Sequence, residues 1–388
     1  MSLTNKTVKY PVEISRIIVG ATFLFSGFVK AVDPLGLSYK MEDYLTELNL
    51  TTLFPLALPA AVLMVTVEFS LGLFLLLGLF RKWTVRLTLL LMIFFTPLTL
   101  WIAIANPVKD CGCFGDAFII SNWQTFYKNL VLLAGTILLT AKWKQITPLL
   151  RRKGKLIAAP LTILSCLLFS LHNIYRLPVL DFRPYKIGAS IPRQMTVDPA
   201  KADVLETLFI YSKGGEEKEF TEENYPWNDS TWTFVRMKTK LVKKGEKPAI
   251  EDFTVETLRY DEASASRYAG EDITGNLLSS PTPTFLMIAC LLEKTNLRHL
   301  ERFREVHRYA AEKGCLFYLL TASSAVTVDK WEQKHQTGFQ FCHADERVLK
   351  TMIRANPGLM LLKEGTVTGK WDDSNVPDRT RLDKSLNF

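Results

Sequence analysis

Apolar residues run in long, nearly unbroken blocks from the N-terminus to about Ile174, and afterwards only in short alternating or helix-period stretches. Five blocks stand out: Ile14 to Val32, Leu53 to Phe80, Val85 to Ala105, Trp123 to Ala141 and Leu156 to Ile174. Each approaches or exceeds the roughly 20 residues that a helix needs to cross a hydrocarbon core. They predict five membrane helices. No clear small-x-small cleavage site follows the first block, and further spans do, so it reads as a membrane helix rather than a signal peptide.

Past the fifth block the period changes. The prolines and glycine of "YRLPVLDFRPYKIGASIPRQM" predict an extended connection. Residues Leu205 to Phe220 predict a hairpin turning at Gly214 and Gly215, and "STWTFVRMKTKLV" a further strand. Thr284 to Cys290 reads as a buried strand. Leu297, Leu300, Phe303, Val306, Tyr309 and Ala310 then recur at helical spacing, up to Gly314. Another strand, "CLFYLLTA", follows. Two helical stretches, "DKWEQKHQTG" and "ADERVLKTMIRANPG", flank a short strand from Phe339 to Cys342, and "GLMLLKEGTVTGKW" predicts a closing hairpin. Alternating strands and helices with a final hairpin imply a mixed sheet covered by helices.

Charge sets the expected orientation. The chain has 388 residues and a formal net charge of +8. The basic residues of the first half sit in short connections: Arg81, Lys82 and Arg86 between the second and third blocks, and Arg151, Arg152 and Lys153 between the fourth and fifth. That is a topology signal rather than a nucleic-acid surface, so no nucleic-acid partner is expected and the membrane lipid is. Basic loops stay in the cytoplasm, which places the N-terminus inside. An odd number of spans then carries the C-terminal region, and the loop after the third block, to the outer side.

Candidate chemistry lies in that loop. In "KDCGCFGDAF", Cys111 and Cys113 are separated by one glycine on the side where disulfides persist. Thiol exchange and a structural role are both open, and metal binding is the weakest reading, because two thiols without a neighbouring histidine make a poor zinc site. Asp110 and Asp116 flank the pair and oppose thiolate formation. Within the bilayer Glu68 is costly unless paired or protonated, and Arg16 or Lys30 is its expected partner. Such a pair would line a quinone or proton site, or else only specify helix packing. Gly20, Gly27, Gly72 and Gly78 are expected to allow close helix contact.

"RIIVGATFLFSGFVKAVDPLG", "VEFSLGLFLLLG" and "DCGCFGD" together resemble the DoxX and MauE group of four-helix membrane proteins over about residues 10 to 145, and the longer form resembles a set of proteins from Bacteroidota. Arg16, Lys30, Glu68, Cys111 and Cys113 fall on the group's recurrent polar and cysteine positions. DoxX-type members are linked to quinone-dependent sulfur oxidation, and MauE-type members to disulfide formation during periplasmic enzyme maturation. Residues 245 to 375, from "KKGEKPAIEDFTVETL" onward, resemble a thioredoxin-like domain, with Pro357 at the position of that family's cis-proline. The family's Cys-x-x-Cys is missing: Cys290 stands alone, with Glu293 where a second cysteine belongs.

The fold these resemblances imply is a membrane α-helical bundle, a four-helix DoxX/MauE-like core plus a fifth helix, followed by a periplasmic α/β thioredoxin-like domain. Residues 146 to 176 would hold the basic connection and fifth helix, 177 to 244 a linker and β-rich subdomain, and 376 to 388 a polar tail. The implied setting is a bacterial inner membrane. Two functions follow. One is an envelope protein docking a periplasmic partner through its degenerate thioredoxin-like domain. The other is a quinone-linked thiol-disulfide oxidoreductase using Cys111 and Cys113, with Cys290 as a further candidate thiol and Glu68, Arg16 and Lys30 as candidate quinone contacts.

Overall fold

The computed structural model describes residues 3–107, 112–243, 245–261 and 266–386. Two compact units divide it: Met1–Arg183 with Ile353–Gly358 and Trp371–Asn375, and Pro184–Met352 with Leu359–Lys370 and Val376–Phe388.

The first unit is helical. Helices α1 (Leu3–Val32), α2 (Pro34–Glu47), α3 (Phe54–Leu77), α4 (Arg81–Ala105), α5 (Asn122–Ala141) and α6 (Arg152–Tyr175) follow one another through short connections. Helix α2 is an addition to the expected pattern, where Asp33 to Thr52 reads only as a loop. It forms because Pro34 suits the first turn and the Asp33 carboxylate accepts from the Gly36 N–H at 2.9 Å, capping the helix.

Helices α1 and α3 approach closely through glycine. A Cβ on Gly27 would stand 2.5 Å from the Phe69 backbone nitrogen, and one on Gly72 2.3 Å from that of Leu24, so only glycine fits at either crossing. Gly20 faces the Leu76 side chain, whereas Gly78 caps α3 instead of lying in a helix contact.

Among the described residues, four helical stretches are long and apolar enough to cross a membrane: Tyr10–Val32, Thr51–Leu77, Arg81–Ala105 and Arg152–Tyr175. The other expected span, α5, is 20 residues long and falls short in apolarity rather than length. Its polar residues Thr125, Asn129 and Thr136 are buried, while Val131 and Ile137 are exposed. It runs antiparallel beside α4 along that helix's whole length. Asn122 bonds Asn106 at one end (2.9 Å), Asn129 donates to Thr99 in the middle (3.1 Å), and Thr140 donates to the Val85 carbonyl at the other (3.4 Å).

The second unit is rich in sheet. Strands β1 (Val204–Lys213), β2 (Glu216–Phe220) and β3 (Thr233–Lys243) form a three-stranded antiparallel sheet in the order β2-β1-β3, with the expected hairpin at Gly214 and Gly215. Between Arg183 and this sheet lies α7 (Ile191–Gln194). A seven-stranded mixed sheet contains β4 (Glu256–Asp261), β5 (Ser266–Asp272), β6 (Thr284–Ile288), β7 (Leu316–Thr321), β8 (Phe341–His343), β9 (Gly358–Lys363) and β10 (Thr366–Asp372), ordered β10-β9-β6-β7-β8-β4-β5. Helices α8 (Thr274–Ser279), α9 (Leu300–Lys313), α10 (Ala325–His335), α11 (Glu346–Met352) and α12 (Arg379–Leu386) complete it.

Strand β6 is buried at all five positions and pairs in parallel with β7, which pairs in parallel with β8. Helix α9 buries Leu300, Phe303, Val306, Tyr309 and Ala310, the face predicted by spacing, and Leu297 precedes its start. The closing hairpin turns at Glu364 and Gly365, and the Asn356–Pro357 bond is cis. Two readings differ. Residues 246–255 are not strand; β4 begins only at Glu256 and pairs antiparallel with β8. Its hairpin partner β5, "SRYAGED", lacks a two-residue apolar period because it is an edge strand.

Candidate functional site at the Cys-Gly-Cys turn

Cys111, with Lys109 and Asp110, lies outside the described residues; the turn is described from Gly112 onward. Gly112 and Gly115 adopt left-handed φ values of 68° and 52°, which side chains rarely tolerate, and the Gly115 N–H donates to the Gly112 carbonyl at 3.0 Å. Cys113, between them, is half-buried. Its carbonyl accepts a 2.6 Å hydrogen bond from the Ser26 hydroxyl on α1. Phe114 packs against Phe25 with ring centroids 5.6 Å apart, and the Lys128 ammonium sits 4.4 Å from the centroid of the Phe114 ring. The turn is therefore seated on α1 and α5.

Beside it stands a partly buried ionic cluster around the buried Arg354. The Arg354 guanidinium lies 3.0 Å through Nε from both Asp33 oxygens, and its Nη2 is 2.9 Å from Asp33 Oδ2 and 3.7 Å from Asp116 Oδ2. Tyr39 stacks 5.3 Å from its Cζ. Burial works against the Asp33 charge, but the Arg354 charge and hydrogen bonds, with Arg183 and the Gly36 N–H, outweigh it and hold the carboxyl below its ordinary value. Asp116 goes the other way. Burial raises its pKa, the nearby Asp33 charge adds to this, and Arg354, Lys40 and Arg183 compensate only in part. Arg183 is itself held by Asp181, at 2.7 Å from Nε.

One turn of α1 before Asp33, Lys30 Nζ meets Glu68 Oε2 at 2.7 Å, with both side chains largely buried. Lys30 is thus the partner of Glu68, and Arg16 is not. Arg16 lies 14 residues earlier on the same helix, about 21 Å along its axis at ~1.5 Å per residue. It bonds Glu13 at 2.7 Å and the Thr147 carbonyl at 2.9 Å, tying the first half of α1 to the connection after α5. Snorkelling cannot span that separation, so Arg16 does not join Glu68 in one site.

The C-terminal thiols are buried and unactivated. Burial, with the charge of Glu346, pushes the Cys290 thiol up to about 12, and its sulfur lies 3.8 Å from the Glu346 carbonyl. Burial alone pushes Cys342 up to about 12. Strand β7 runs between the strands that lead to them, since Ile288 is in register with Leu320 and Leu320 with Cys342. Two inter-strand steps are roughly 10 Å, beyond the ~7 Å Cα separation a disulfide allows, so Cys290 has no resolving partner in Cys342. Cys315 is buried at the start of β7, and Cys166 packs with Ala31 and Val65 between helices. Among the described residues, no group of three His, Cys, Asp or Glu side chains is placed to hold a metal ion.

Sequence reasoning finds the turn, Glu68 and Lys30, but not Arg354. Nothing local marks an arginine in "MIRANPG" as the counter-ion of carboxylates more than two hundred positions earlier. The signal available is the unexplained pair Asp33 and Asp116, each placed just beyond a span.

Comparison with known proteins agrees with the helical part. No curated protein matches the chain, and residues 205–244, the three-stranded sheet, match a domain of unknown function (DUF8463). The family model for methylamine utilisation protein MauE matches residues 8–142, so the chain carries a MauE-like membrane region built on α1 to α5.

Proposed function

We propose that this is a bacterial inner-membrane envelope protein in which the helical bundle anchors a periplasmic docking domain of degenerate thioredoxin-like fold. The observation that carries it is the state of the C-terminal thiols: Cys290 and Cys342 are buried, unactivated and held apart by β7. Without a reacting pair the domain cannot run a dithiol cycle by itself, and recognition is the role we assign to it. The periplasmic placement requires α5 to cross as well; α5 lies alongside α4 from Asn122 to Thr140, and its ~30 Å length suffices for the hydrocarbon core. Crosslinking in intact cells tests docking. A periplasmic protein captured by probes on the sheet-rich domain, and retained in a Cys290→Ala variant, supports the reading. Loss of capture in that variant sinks it.

A second reading is favoured by Cys113. Its carbonyl is fixed by Ser26 while its turn stays half-exposed, which suits thiol–disulfide exchange by Cys111 and Cys113. In this reading two electrons pass from a periplasmic dithiol to the pair and on to a membrane quinone, with the Lys30–Glu68 pair as the candidate proton or quinone contact. Cys111→Ser or Cys113→Ser should trap a mixed disulfide with a client, and quinone should change the redox state of the wild-type pair. Absence of both outcomes excludes this chemistry.

A further inference from the structure

We propose that Arg354 is a positioning residue for the Cys-Gly-Cys turn: it bridges Asp33, at the end of α1, and Asp116, within the turn, and so holds Cys113 in place against Ser26. The proposal deepens the thiol–disulfide reading.

The turn needs such a brace. Two glycines in left-handed conformation leave its backbone with wide conformational freedom. Ser26 fixes it at the Cys113 carbonyl, and Asp116, three residues on, ties its far side to a cation from outside the turn. That partner is a guanidinium whose side chain is 6% exposed, so its charge is compensated by the two carboxylates rather than by water. Arginine suits the place because its planar fork spans both Asp33 oxygens and still presents Nη2 toward Asp116. The space is shaped for it as well. A Cβ on Gly36 would lie 2.5 Å from Asp33 Oδ2 and 2.9 Å from Arg354 Nη2, so a side chain there displaces the pair. Without Arg354 the two carboxylates lose the cation between them, and the one on the glycine-flanked turn, the half-buried Asp116, moves and takes the turn with it.

The test is the reactivity of Cys113 in the full-length protein, purified in detergent, in a Cys111→Ser background. Peptide-resolved alkylation by a maleimide at fixed pH gives the rate at Cys113 and at buried Cys166 together. Arg354→Met should raise the Cys113 rate about tenfold through exposure of the thiol as the turn loosens, since loss of a nearby cation acts by itself in the opposite direction. Arg354→Lys should give a smaller rise, and Gly36→Ala should behave like Arg354→Met. Adding Asp116→Asn to Arg354→Met should bring little further rise, because both changes break the same tie, and a further multiplicative rise counts against the proposal. A Cys113 rate unchanged in Arg354→Met, or a rise matched at Cys166, overturns the proposal. Gly36→Ala and Arg354→Lys decide it should the methionine variant fail to fold. With both cysteines present, glutathione titration separates the two claims. A wild-type pair that does not exchange with glutathione sinks the thiol–disulfide reading and leaves the alkylation rates to decide the role of Arg354. A pair that does exchange should show a shifted equilibrium in Arg354→Met, and an unshifted one counts against the positioning role.

Discussion

Lys30 Nζ and Glu68 Oε2 stand 2.7 Å apart in the interface of α1 and α3, within a turn of the glycine contact where Gly27 meets the Phe69 backbone. The close approach that glycine permits brings the two charges together, and the pair in turn fixes how the helices register. A lone charge at that depth is costly, whereas a paired one is tolerated. Removing one partner should therefore matter more than the pair's own net contribution.

Glu68→Ala leaves the Lys30 ammonium buried without its counter-ion and should destabilise the bundle by about 3–5 kcal/mol. Glu68→Gln keeps the shape and a hydrogen-bond acceptor and should cost less. Lys30→Met combined with Glu68→Leu should recover most of the loss. Thermal unfolding in detergent measures all three, and an unaffected Glu68→Ala protein would show the pair to be dispensable.

The two carboxylates at Arg354 should respond to acid in opposite ways. The folded pKa of Asp33 is depressed, so its contribution is present above the ordinary value of 3.8 and is lost as pH falls through the lower folded value. Asp116 has a raised folded pKa, so the folded chain binds its proton first, and stability declines as pH rises from 3.8 through that higher value. Arg183, Lys40 and Tyr39 face the same cluster and set its balance. Asp33→Asn should therefore destabilise the protein at pH 7, and Asp116→Asn should leave it equal or slightly more stable. Melting temperatures from pH 2 to pH 7 check the signs.

Cys290 should be chemically silent in the folded protein. With its thiol pushed up to about 12, only about one molecule in ten thousand is thiolate at pH 8. Maleimide labelling of Cys290 should be slow until denaturant is added, then fast. Rapid labelling of the native protein would reinstate it as a candidate nucleophile.

Orientation is open to reporter fusions. Those after Lys82 and after Lys144 should report the cytoplasm, and one after Gly188 the periplasm. If α5 does not cross, Lys144 would report the side opposite to Lys82, and the periplasmic assignment of the C-terminal region would fall.

The sequence by itself determined the elements whose signal is local. Continuous apolar runs marked α1, α3, α4, α5 and α6, because a helix in a hydrocarbon core must be apolar over most of its length. The face of α9 and the hairpins at Gly214–Gly215 and Glu364–Gly365 were equally legible, since periodicity and turn residues act over a few positions. Tertiary structure decided the rest. Helix α5 hides Asn129 and Thr136 within the bundle while lying alongside α4, a placement its own residues do not record. The choice of Lys30 over Arg16 for Glu68 depends on how far along α1 the helices α1 and α3 meet. Strand β5 exists because β4 offers it a ladder, not because its residues alternate. The bridge from Asp33 through Arg354 to Asp116 was legible least of all, for ion pairing acts across space, and nothing in a linear pattern records that a residue near the end of the chain returns to the end of its first helix.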